Sequence, residues 1–435
     1  MSFGRLGFGG GGGGPRGVSL SDYMELVFDT SLAAGTDVEV PLFGTVNVTV
    51  DWGDDSSDAY TTAGVKTHTY AGDGVYFVRI TGALTGFGHQ TAAATAARAQ
   101  KLIGCSGWGN LGITNVSGAF RDASNLVSAP DHLPANVTNT SQMFRGCTNF
   151  DQSVSNFNTS SVTSMTQMFY GCTAFNQSVS NFNTSLVTSM EFMFYGCTNF
   201  NQSVANFNTS LVTDMGSMFY GCTNFNQSVA NFNTAAVTAM GSMFRDCTAF
   251  NQPVSNFTTA AVVTMRYMFS GCKAFNQSVS NFNTSLVTNM SVMFYGCTAF
   301  NQSVSNFNTA SVTNMGYMFY GCTNFNQSVS NFNTAAVTSM EFMFSGCTAM
   351  SGEGISTFSL AGLDSSSKLD YFALGTTFST ANYDAILIAW DAAKAGYRTD
   401  LAPNFGNSKY SAGAAATARA SLVTHGWTIT DGGAV

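Results

Sequence analysis

A strict 25-residue period is the feature that most constrains this chain. The segment MFYGCTNFNQSV occurs unchanged three times, beginning at Met193, Met218 and Met318. Nine cysteines, each within the pattern M-F-x-x-C, recur every 25 residues: Cys147, Cys172, Cys197, Cys222, Cys247, Cys272, Cys297, Cys322 and Cys347. A short repeat cannot bury its apolar side chains alone, whereas stacked copies cover one another. The period therefore predicts a solenoid in which equivalent residues form ladders.

Within one repeat, the apolar spacing predicts a short helix followed by a strand. Met190, Met193, Phe194 and Cys197 lie at i, i+3, i+4 and i+7, which is typical of about two helical turns. Residues 200–207 form a segment short enough for one strand. A constant Asn-Gln pair lies inside this segment, and stacking predicts that these amides hydrogen-bond along the ladder, as they do in cross-β assemblies.

The sequence around the repeats divides the chain into five parts. They are a Gly-rich tether or anchor (1–19), a β-sandwich domain (20–90), an N-terminal cap with degenerate repeats (91–142), the strict solenoid (143–349) and a C-terminal α/β cap (350–435). The predicted fold class is therefore mainly β with short helices, with a sandwich before the solenoid and a helical cap after it.

Periodicity supports the assignments at both ends. Residues 25–28, 38–40, 46–50 and 75–80 are β-branched or alternating runs separated by turn residues, which is typical of a small antiparallel sandwich. Near the C-terminus, the pattern predicts a helix over Thr380–Ala395, ended by Gly396. It also predicts a second helix from Ser411, as N-cap, to His425, and a final strand over Trp427–Thr430.

Three stretches resemble known families. The repeat VTSMEFMFYGCTNFNQSVANFNTS and its copies, from about Ala119 to Ala349, resemble the BspA-like leucine-rich-repeat surface proteins, with Phe and Cys where that family often has Trp and Ala. The stretches VDWGDDSSDAY and KTHTYAGDGVYFVRITG, within Leu20 to Thr85, resemble polycystic-kidney-disease (PKD) type immunoglobulin-like domains. FSTANYDAILIAW and KYSAGAAATARASLVTHGWTITDGG resemble the C-terminal segment that often closes such repeat arrays in bacterial and phage proteins. These resemblances imply extracellular display and adhesion, without a catalytic motif to transfer.

Composition argues against several partners. Only 9% of the residues are charged and the net charge is −8, which leaves no basic surface for nucleic acid or anionic lipid. No apolar run reaches the length of a membrane-spanning helix, and the first residues lack the apolar core of a signal peptide. We therefore expect an extracellular or virion-surface protein that does not insert into membranes and does not use the ordinary secretion signal.

The cysteine ladder admits three interpretations. Zinc sites require close cysteine pairs, which the sequence does not contain. Disulfides between adjacent coils are geometrically conceivable, but pairing nine cysteines leaves one over. We favour buried, reduced cysteines that act as small apolar residues, and we expect no metal and no cofactor.

Other polar motifs favour turns over sites. Asp51, Asp54, Asp55 and Asp58 could hold calcium, but their spacing differs from that of a calcium loop, so tight turns are the favoured interpretation. The N-T-S triplets, such as that over residues 158–160, satisfy the glycosylation sequon but also suit turns that cap the next coil.

Catalysis finds no support in the sequence. The histidines are scattered outside catalytic motifs, at His68, His89, His132 and His425. The repeats carry only isolated carboxylates, including Glu191, Asp214 and Glu341, rather than the paired carboxylates of glycosidases. We therefore expect that the protein is not an enzyme.

A repeated tyrosine suggests the function. It follows Met-Phe in five repeats and predicts a surface stripe of Tyr170, Tyr195, Tyr220, Tyr295 and Tyr320. Flat phenolic rings with Ser and Asn nearby suit binding to a cell-surface glycan or protein. We expect a phage virion fibre or decoration protein that binds the host surface, held in the virion or to its own copies through the Gly-rich N-terminus. The alternatives are a bacterial surface or secreted adhesin, and a structural protein that assembles into a filament or lattice.

Overall fold

The computed structural model describes residues 22–89, 96–366 and 369–435. The predicted Gly-rich tether, 1–19, lies outside the described residues. The described chain is mainly β with few short helices, and it contains an N-terminal sheet followed by tandem repeats.

Six antiparallel strands form the N-terminal sheet. They are β1 (Met24–Asp29), β2 (Asp37–Asp51), β3 (Ser57–Tyr60), β4 (Gly64–Thr69), β5 (Val75–Phe87) and β6 (Leu102–Trp108). The strand order is β3-β2-β5-β1-β6, and β4 also pairs with β2. All six strands thus belong to one hydrogen-bonded sheet, whereas the sequence predicted a sandwich of two sheets.

The long strand β2 explains this difference. Its first part, up to Leu42, pairs with β4, and its later part pairs with β3 and β5. The register with β5 shifts between Phe43 and Val46, where Gly44 adopts a φ of 70°. A bulge of this kind bends a strand, so one strand can serve two groups of neighbours. Beyond the bulge, Val46, Val48 and Val50 are buried with the predicted period of two.

Each repeat pairs with the next through a single parallel bridge. The bridged residues are Asn115, Asn139, Ser164, Ser189, Asp214, Ala239, Thr264, Asn289, Asn314 and Ser339. Successive bridges are 24 residues apart at first and 25 apart from Asn139 onward. The bridges confirm parallel pairing of equivalent residues in successive repeats, but at one residue per repeat rather than along a strand.

The predicted helix in each repeat is wrong. The segment forms successive turns, in which the amide of Met193 donates to Met190 and the amide of Cys197 donates to Phe194, at 3.1 and 3.0 Å. Phe192 has a φ of 56°, which is incompatible with a right-handed helix. Other amides donate to the next repeat, as Phe194 does to the carbonyl of Met218 at 2.9 Å. Residues 200–207 are likewise not the predicted strand: they are irregular apart from a turn at residues 205 and 206.

Apolar side chains fill the interior as continuous ladders. In the repeat from Val187, the side chains of Met190, Met193, Phe194 and Cys197 are completely buried. Phe194 stacks on its equivalent in the next repeat with ring centroids 5.8 Å apart and an interplanar angle of 4°. The apolar spacing therefore identified the buried residues correctly, although it assigned them to the wrong element.

The Asn-Gln pair forms the predicted amide ladder. The Oδ1 atom of Asn201 accepts hydrogen bonds from the backbone amide of Asn226 and from Nε2 of Gln227, both at 3.0 Å. The same two bonds recur between most neighbouring repeats. Each asparagine thus satisfies a backbone donor that the turn leaves without a partner.

The ten cysteines are free and buried. In the repeats, each thiol donates to a phenylalanine carbonyl of the preceding repeat, and the Sγ of Cys222 lies 2.9 Å from the carbonyl oxygen of Phe194. Burial, followed by the neighbouring thiol of Cys197, raises the pKa of Cys222 well above its usual value. This geometry matches small buried residues rather than disulfide or metal chemistry.

Both ends of the repeat stack are joined to other structure. The first repeat bridges to the sheet, through Asn115 to Gly86 of β5 and through Ser128 to Gly104 of β6. The strand β6 thus lies in the region assigned to the N-terminal cap, 91–142, but it belongs to the sheet. Beyond the last repeat, the amide of Phe344 donates to the carbonyl of Phe372 at 2.8 Å.

The helices that the structure describes are short. They are α1 (Ala96–Ala99), α2 (Thr380–Ala393) and α3 (Ala414–Thr424), with 3-10 turns at Thr30–Leu32, Ile355–Thr357 and Lys394–Gly396. Ser379 caps α2, and the start of this helix agrees with the sequence prediction, whereas the α-helix ends at Ala393 and continues as the 3-10 turn Lys394–Gly396. Gly413 rather than Ser411 precedes α3, and the amide of Ser411 donates to Asp384 at 2.9 Å. The predicted final strand is reduced to a bridge between Asn404 and Thr430.

None of the described helices has the length and apolar character needed to cross a membrane.

We expect the cysteines to be inaccessible in the folded protein. At about pH 8, iodoacetamide should modify none of them before unfolding and all ten in denaturant without reductant. Because burial raises the folded-state pKa of thiols such as Cys222 above the usual value of 9.0, the unfolded chain loses these protons first. The free energy of unfolding should therefore decrease as the pH rises above about 9. Mass spectrometry would contradict this interpretation if denatured, unreduced protein retained pairs of unreactive cysteines.

Replacing Asn201 by Ala should destabilise the repeats by about 1–3 kcal/mol, because the amide of Asn226 and the side chain of Gln227 lose their acceptor. Asn199→Ala is the matched control, since Asn199 is exposed and Ala174 occupies the equivalent position one repeat earlier. Urea unfolding followed by circular dichroism measures both variants. Equal stability of the two would show that the amide ladder contributes little.

Candidate recognition surface

The predicted tyrosine stripe exists as two stacks. The rings of Tyr170 and Tyr195 lie 4.4 Å apart, those of Tyr195 and Tyr220 lie 4.3 Å apart, and those of Tyr295 and Tyr320 lie 4.7 Å apart. We call the residues at this position of the repeat the tyrosine column. It consists of Arg145, Tyr170, Tyr195, Tyr220, Arg245, Ser270, Tyr295, Tyr320 and Ser345. Arg245 and Ser270 therefore separate the two stacks.

Local backbone geometry directs this column outward. Tyr195 lies between the buried Phe194 and Gly196, which has a φ of 70°. A Cβ at the next equivalent glycine, Gly221, would lie 3.5 Å from the Cα of Gly196, so successive repeats approach closely here. The tyrosine between these constraints lies flat against its neighbours and stays partly exposed, with 38% exposure at Tyr295. The column therefore presents ring edges and hydroxyl groups to solvent.

A second outward column lies beside the first. Its members all have positive φ angles between 53° and 62°, and they are Gln142, Gln167, Phe192, Ser217, Ser242, Tyr267, Val292, Tyr317 and Phe342. We call this the left-handed column. This backbone conformation destabilises L-residues by roughly 1–2 kcal/mol, whereas glycine adopts it freely. Each repeat thus keeps a side chain where glycine would relieve strain.

Sequence reasoning missed the left-handed column. The residues at this position, two after the first methionine of each repeat, vary between repeats, so no single residue type marks the column. The structure shows that aromatic members stack, with 4.7 Å between Tyr317 and Phe342 and 4.4 Å between Phe342 and Tyr371. The available signal was the recurrence of aromatic residues at one position of several repeats: Phe192, Tyr267, Tyr317 and Phe342.

Arginines lie at the ends of the first tyrosine stack. The guanidinium of Arg145 is 4.8 Å from the ring centre of Tyr170, and that of Arg245 is 4.9 Å from the ring centre of Tyr220. These distances allow cation–π attraction. Burial and then the neighbouring Tyr220 raise the pKa of Tyr195, so its hydroxyl remains protonated and can donate a hydrogen bond.

The aspartates of the N-terminal sheet are occupied by turn contacts. Asp51 accepts from the amide of Gly53 at 3.0 Å, and Asp54 accepts from the amide of Ser56 at 3.2 Å. Asp58 accepts from the indole of Trp52 at 2.9 Å. These contacts favour the turn interpretation over calcium binding. Asp55, the fourth aspartate, is exposed and has a φ of 66°.

The histidines lie in separate surroundings. His68 contacts Asp54 at 2.8 Å, His89 is buried 3.4 Å from Glu39, and His132 contacts Asp131 at 2.8 Å. His425 follows α3. Within 22–89, 96–366 and 369–435, no three His, Cys, Asp or Glu side chains converge in a way that could hold a metal. The isolated carboxylates Glu191 and Asp214 lie beside the two columns, in neighbouring repeats, as does Glu341 farther along the stack.

Comparisons with known proteins identify the repeats. A family model described as Mycoplasma protein of unknown function, DUF285, matches residues 114–210, 202–286 and 276–378. Together these matches cover more than half of the chain. The comparisons with curated proteins and with solved structures found no match. The family description assigns no activity, so the surface itself must supply the functional argument.

The tyrosine stack should make a small contribution to stability. Tyr195→Ala separates Tyr170 from Tyr220 and should lower the free energy of unfolding by about 1 kcal/mol, because two ring contacts are lost. Tyr195→Phe keeps both contacts and should leave stability unchanged. Urea unfolding of the two variants measures the difference, and equal destabilisation would assign the effect to the hydroxyl group instead.

Proposed function

We propose a function for this chain on the premise that it belongs to the tandem-repeat family described as Mycoplasma protein of unknown function, DUF285. The proposal is that it is a non-enzymatic recognition protein that binds a cell-surface glycan through its two outward columns. Membership in this repeat family supports the resemblance to BspA-like surface proteins. We further propose that the repeats wind as a solenoid, that the N-terminal sheet is a divergent PKD-type domain, and that the protein acts outside the cell or on a virion.

The observation that carries this proposal is the pair of stacked aromatic columns. Stacking holds the rings of Tyr170, Tyr195 and Tyr220 parallel and partly exposed before any ligand arrives. Rigid tyrosines lose little conformational entropy on binding, and their exposed ring edges and hydroxyl groups suit the apolar and polar parts of sugars. The aromatic residues of the left-handed column, whose backbone is strained, lie beside the tyrosine column and enlarge the aromatic surface.

Low charge supports a glycan rather than a densely charged partner such as nucleic acid. The chain carries 16 Lys and Arg against 24 Asp and Glu, and its exposed repeat positions are mostly Ser, Thr and Asn. Such a surface can hydrogen-bond to hydroxyl groups without requiring a charged partner. The tyrosine column also extends over several repeats, so a polymer can make several weak contacts at once and gain affinity through avidity.

The test is binding of the full chain to an immobilised panel of neutral and acidic polysaccharides. The variant Tyr170→Ala/Tyr195→Ala/Tyr295→Ala/Tyr320→Ala should bind its polysaccharide roughly ten-fold or more weakly, because several ring contacts of about 0.5–1.5 kcal/mol are removed. The matched control is Leu186→Ala/Leu211→Ala, which removes exposed apolar side chains, 46% and 50% exposed, from a different column.

Circular dichroism and urea unfolding verify that both variants fold. Loss of binding in the tyrosine variant alone supports the proposal. Unchanged binding in that variant, equal loss in the leucine variant, or failure of the unaltered chain to bind any polysaccharide of the panel would overturn it.

A further inference from the structure

The two outward columns contain one interruption that is shaped differently from the rest of the surface. Its floor has only Gly and Ser, and it is bounded by aromatic side chains at one end and by arginines at the other. We call it the notch, and its residues are Phe192, Tyr195, Gly216, Ser217, Tyr220, Gly241, Ser242, Arg245, Arg266 and Tyr267. We propose that the notch binds the carboxylate of an acidic sugar, which makes a uronic-acid-type saccharide the ligand class of this surface. This inference rests on the proposed function in glycan recognition.

Two successive repeats have glycine at one position of the notch, and the side chains of Asp214 and Glu191 border it, with Asp214 Oδ1 3.1 Å and Glu191 Cγ 3.8 Å from where a Cβ at Gly216 would lie. Along one position of the repeat the residues are Glu191, Gly216, Gly241 and Arg266, so the space between Glu191 and Arg266 contains no intervening side chain at this position. Ser217 and Ser242 occupy the left-handed column beside them. Repeats that pair in parallel are about 4.8 Å apart, so the floor extends over roughly 10 Å, which is enough for a short saccharide.

Two arginines converge on one tyrosine at the far end. The guanidinium groups of Arg245 and Arg266 lie 4.5 and 4.6 Å from the ring centre of Tyr267. Arg266 also donates to the Tyr267 hydroxyl at 3.1 Å. Arg245 bridges this group to the tyrosine stack, since it is also 4.9 Å from Tyr220. The rings therefore hold two like charges close together and fix their direction.

The positive charge at this end is only partly compensated. The Nε of Arg245 lies 3.5 Å from the carboxylate of Asp246, which is a long ion-pair contact, and this Nε has no hydrogen-bond partner. Within the described ranges, no carboxylate lies within 4.0 Å of the exposed Arg266. Lys273 lies in the next repeat, whereas the strict repeats, 143–349, contain only one further cation, Arg145. The cations of the array are thus concentrated at the notch.

This arrangement fits a sugar carboxylate better than other anions. A guanidinium fork matches a carboxylate in a bidentate geometry, and the ring edges and hydroxyl groups of Tyr220 and Tyr267 can contact the attached sugar. A nucleic acid requires a continuous basic surface, which the net charge of −8 does not provide. At the opposite end, Glu191 and Asp214 repel a carboxylate and favour the neutral part of the saccharide. The notch therefore favours an acidic saccharide and orients it with its carboxylate at the arginines.

The test compares one sugar backbone with and without its charge. Oligogalacturonate and its methyl ester are titrated into the full chain by calorimetry. The unaltered protein should bind oligogalacturonate at least ten-fold more tightly than the ester, and this preference should decrease with added salt. Arg245→Gln/Arg266→Gln should abolish the preference. Arg145→Gln is the matched control, because Arg145 lies in the same column and over a tyrosine but outside the notch.

Thermal unfolding confirms that the variants fold, and Arg266→Lys provides a second test. This variant keeps the charge but loses the fork, so it should retain only part of the preference. Equal affinity for the acid and the ester overturns the carboxylate inference, and so does a preference that persists in the double variant or disappears in Arg145→Gln. If both oligosaccharides bind equally and the tyrosine variant loses them, the carboxylate inference fails while the proposed glycan recognition stands. Absence of any binding contradicts the carboxylate inference, and the polysaccharide panel then decides separately on glycan recognition.

Discussion

In-register hydrogen bonding between repeats is the constraint on which the rest of the structure depends. The amide of Phe194 donates to Met218 at 2.9 Å, and the amide of Gly196 donates to Tyr220 at 2.6 Å. These donors point along the stack, so a repeat satisfies its backbone only when its neighbour presents the same turn at the same height. A change of length within one repeat would misalign these bonds and the buried ladders together. This requirement explains why the cysteines are spaced strictly 25 residues apart in the sequence.

The same register transfers order from the core to the surface. Phe194 and Phe219 stack in the interior, and Tyr195 and Tyr220, one residue later, stack outside at 4.3 Å. An exposed residue that recurs in successive repeats therefore becomes a continuous column without further interactions to position it. Stacking limits the motion of these rings, which lowers the entropy cost of ligand binding. The buried ladders and the exposed columns thus have one structural origin.

Periodicity predicted which residues of the repeat are buried, but it did not predict the backbone conformation. The spacing of Met190, Met193, Phe194 and Cys197 reports which side chains point inward, and all four are buried. It does not report where backbone amides donate, so two consecutive turns were mistaken for a helix. The tyrosine column was predicted because an identical residue recurs. The left-handed column was not, because a positive φ at a residue such as Phe192 leaves no compositional signal without glycine.

A uniform array has little capacity for specificity, because each repeat presents the same groups as its neighbour. Discrimination between ligands therefore has to arise where a column changes. Arg245 replaces tyrosine beside the glycines of two repeats, and this local change produces a charge gradient from Glu191 to Arg266 within an otherwise nearly neutral surface. In the core beneath it, Phe244 and Cys247 are completely buried, and Phe244 stacks on Phe219. The interior can thus stay constant while single outward substitutions change the charge and shape of the surface.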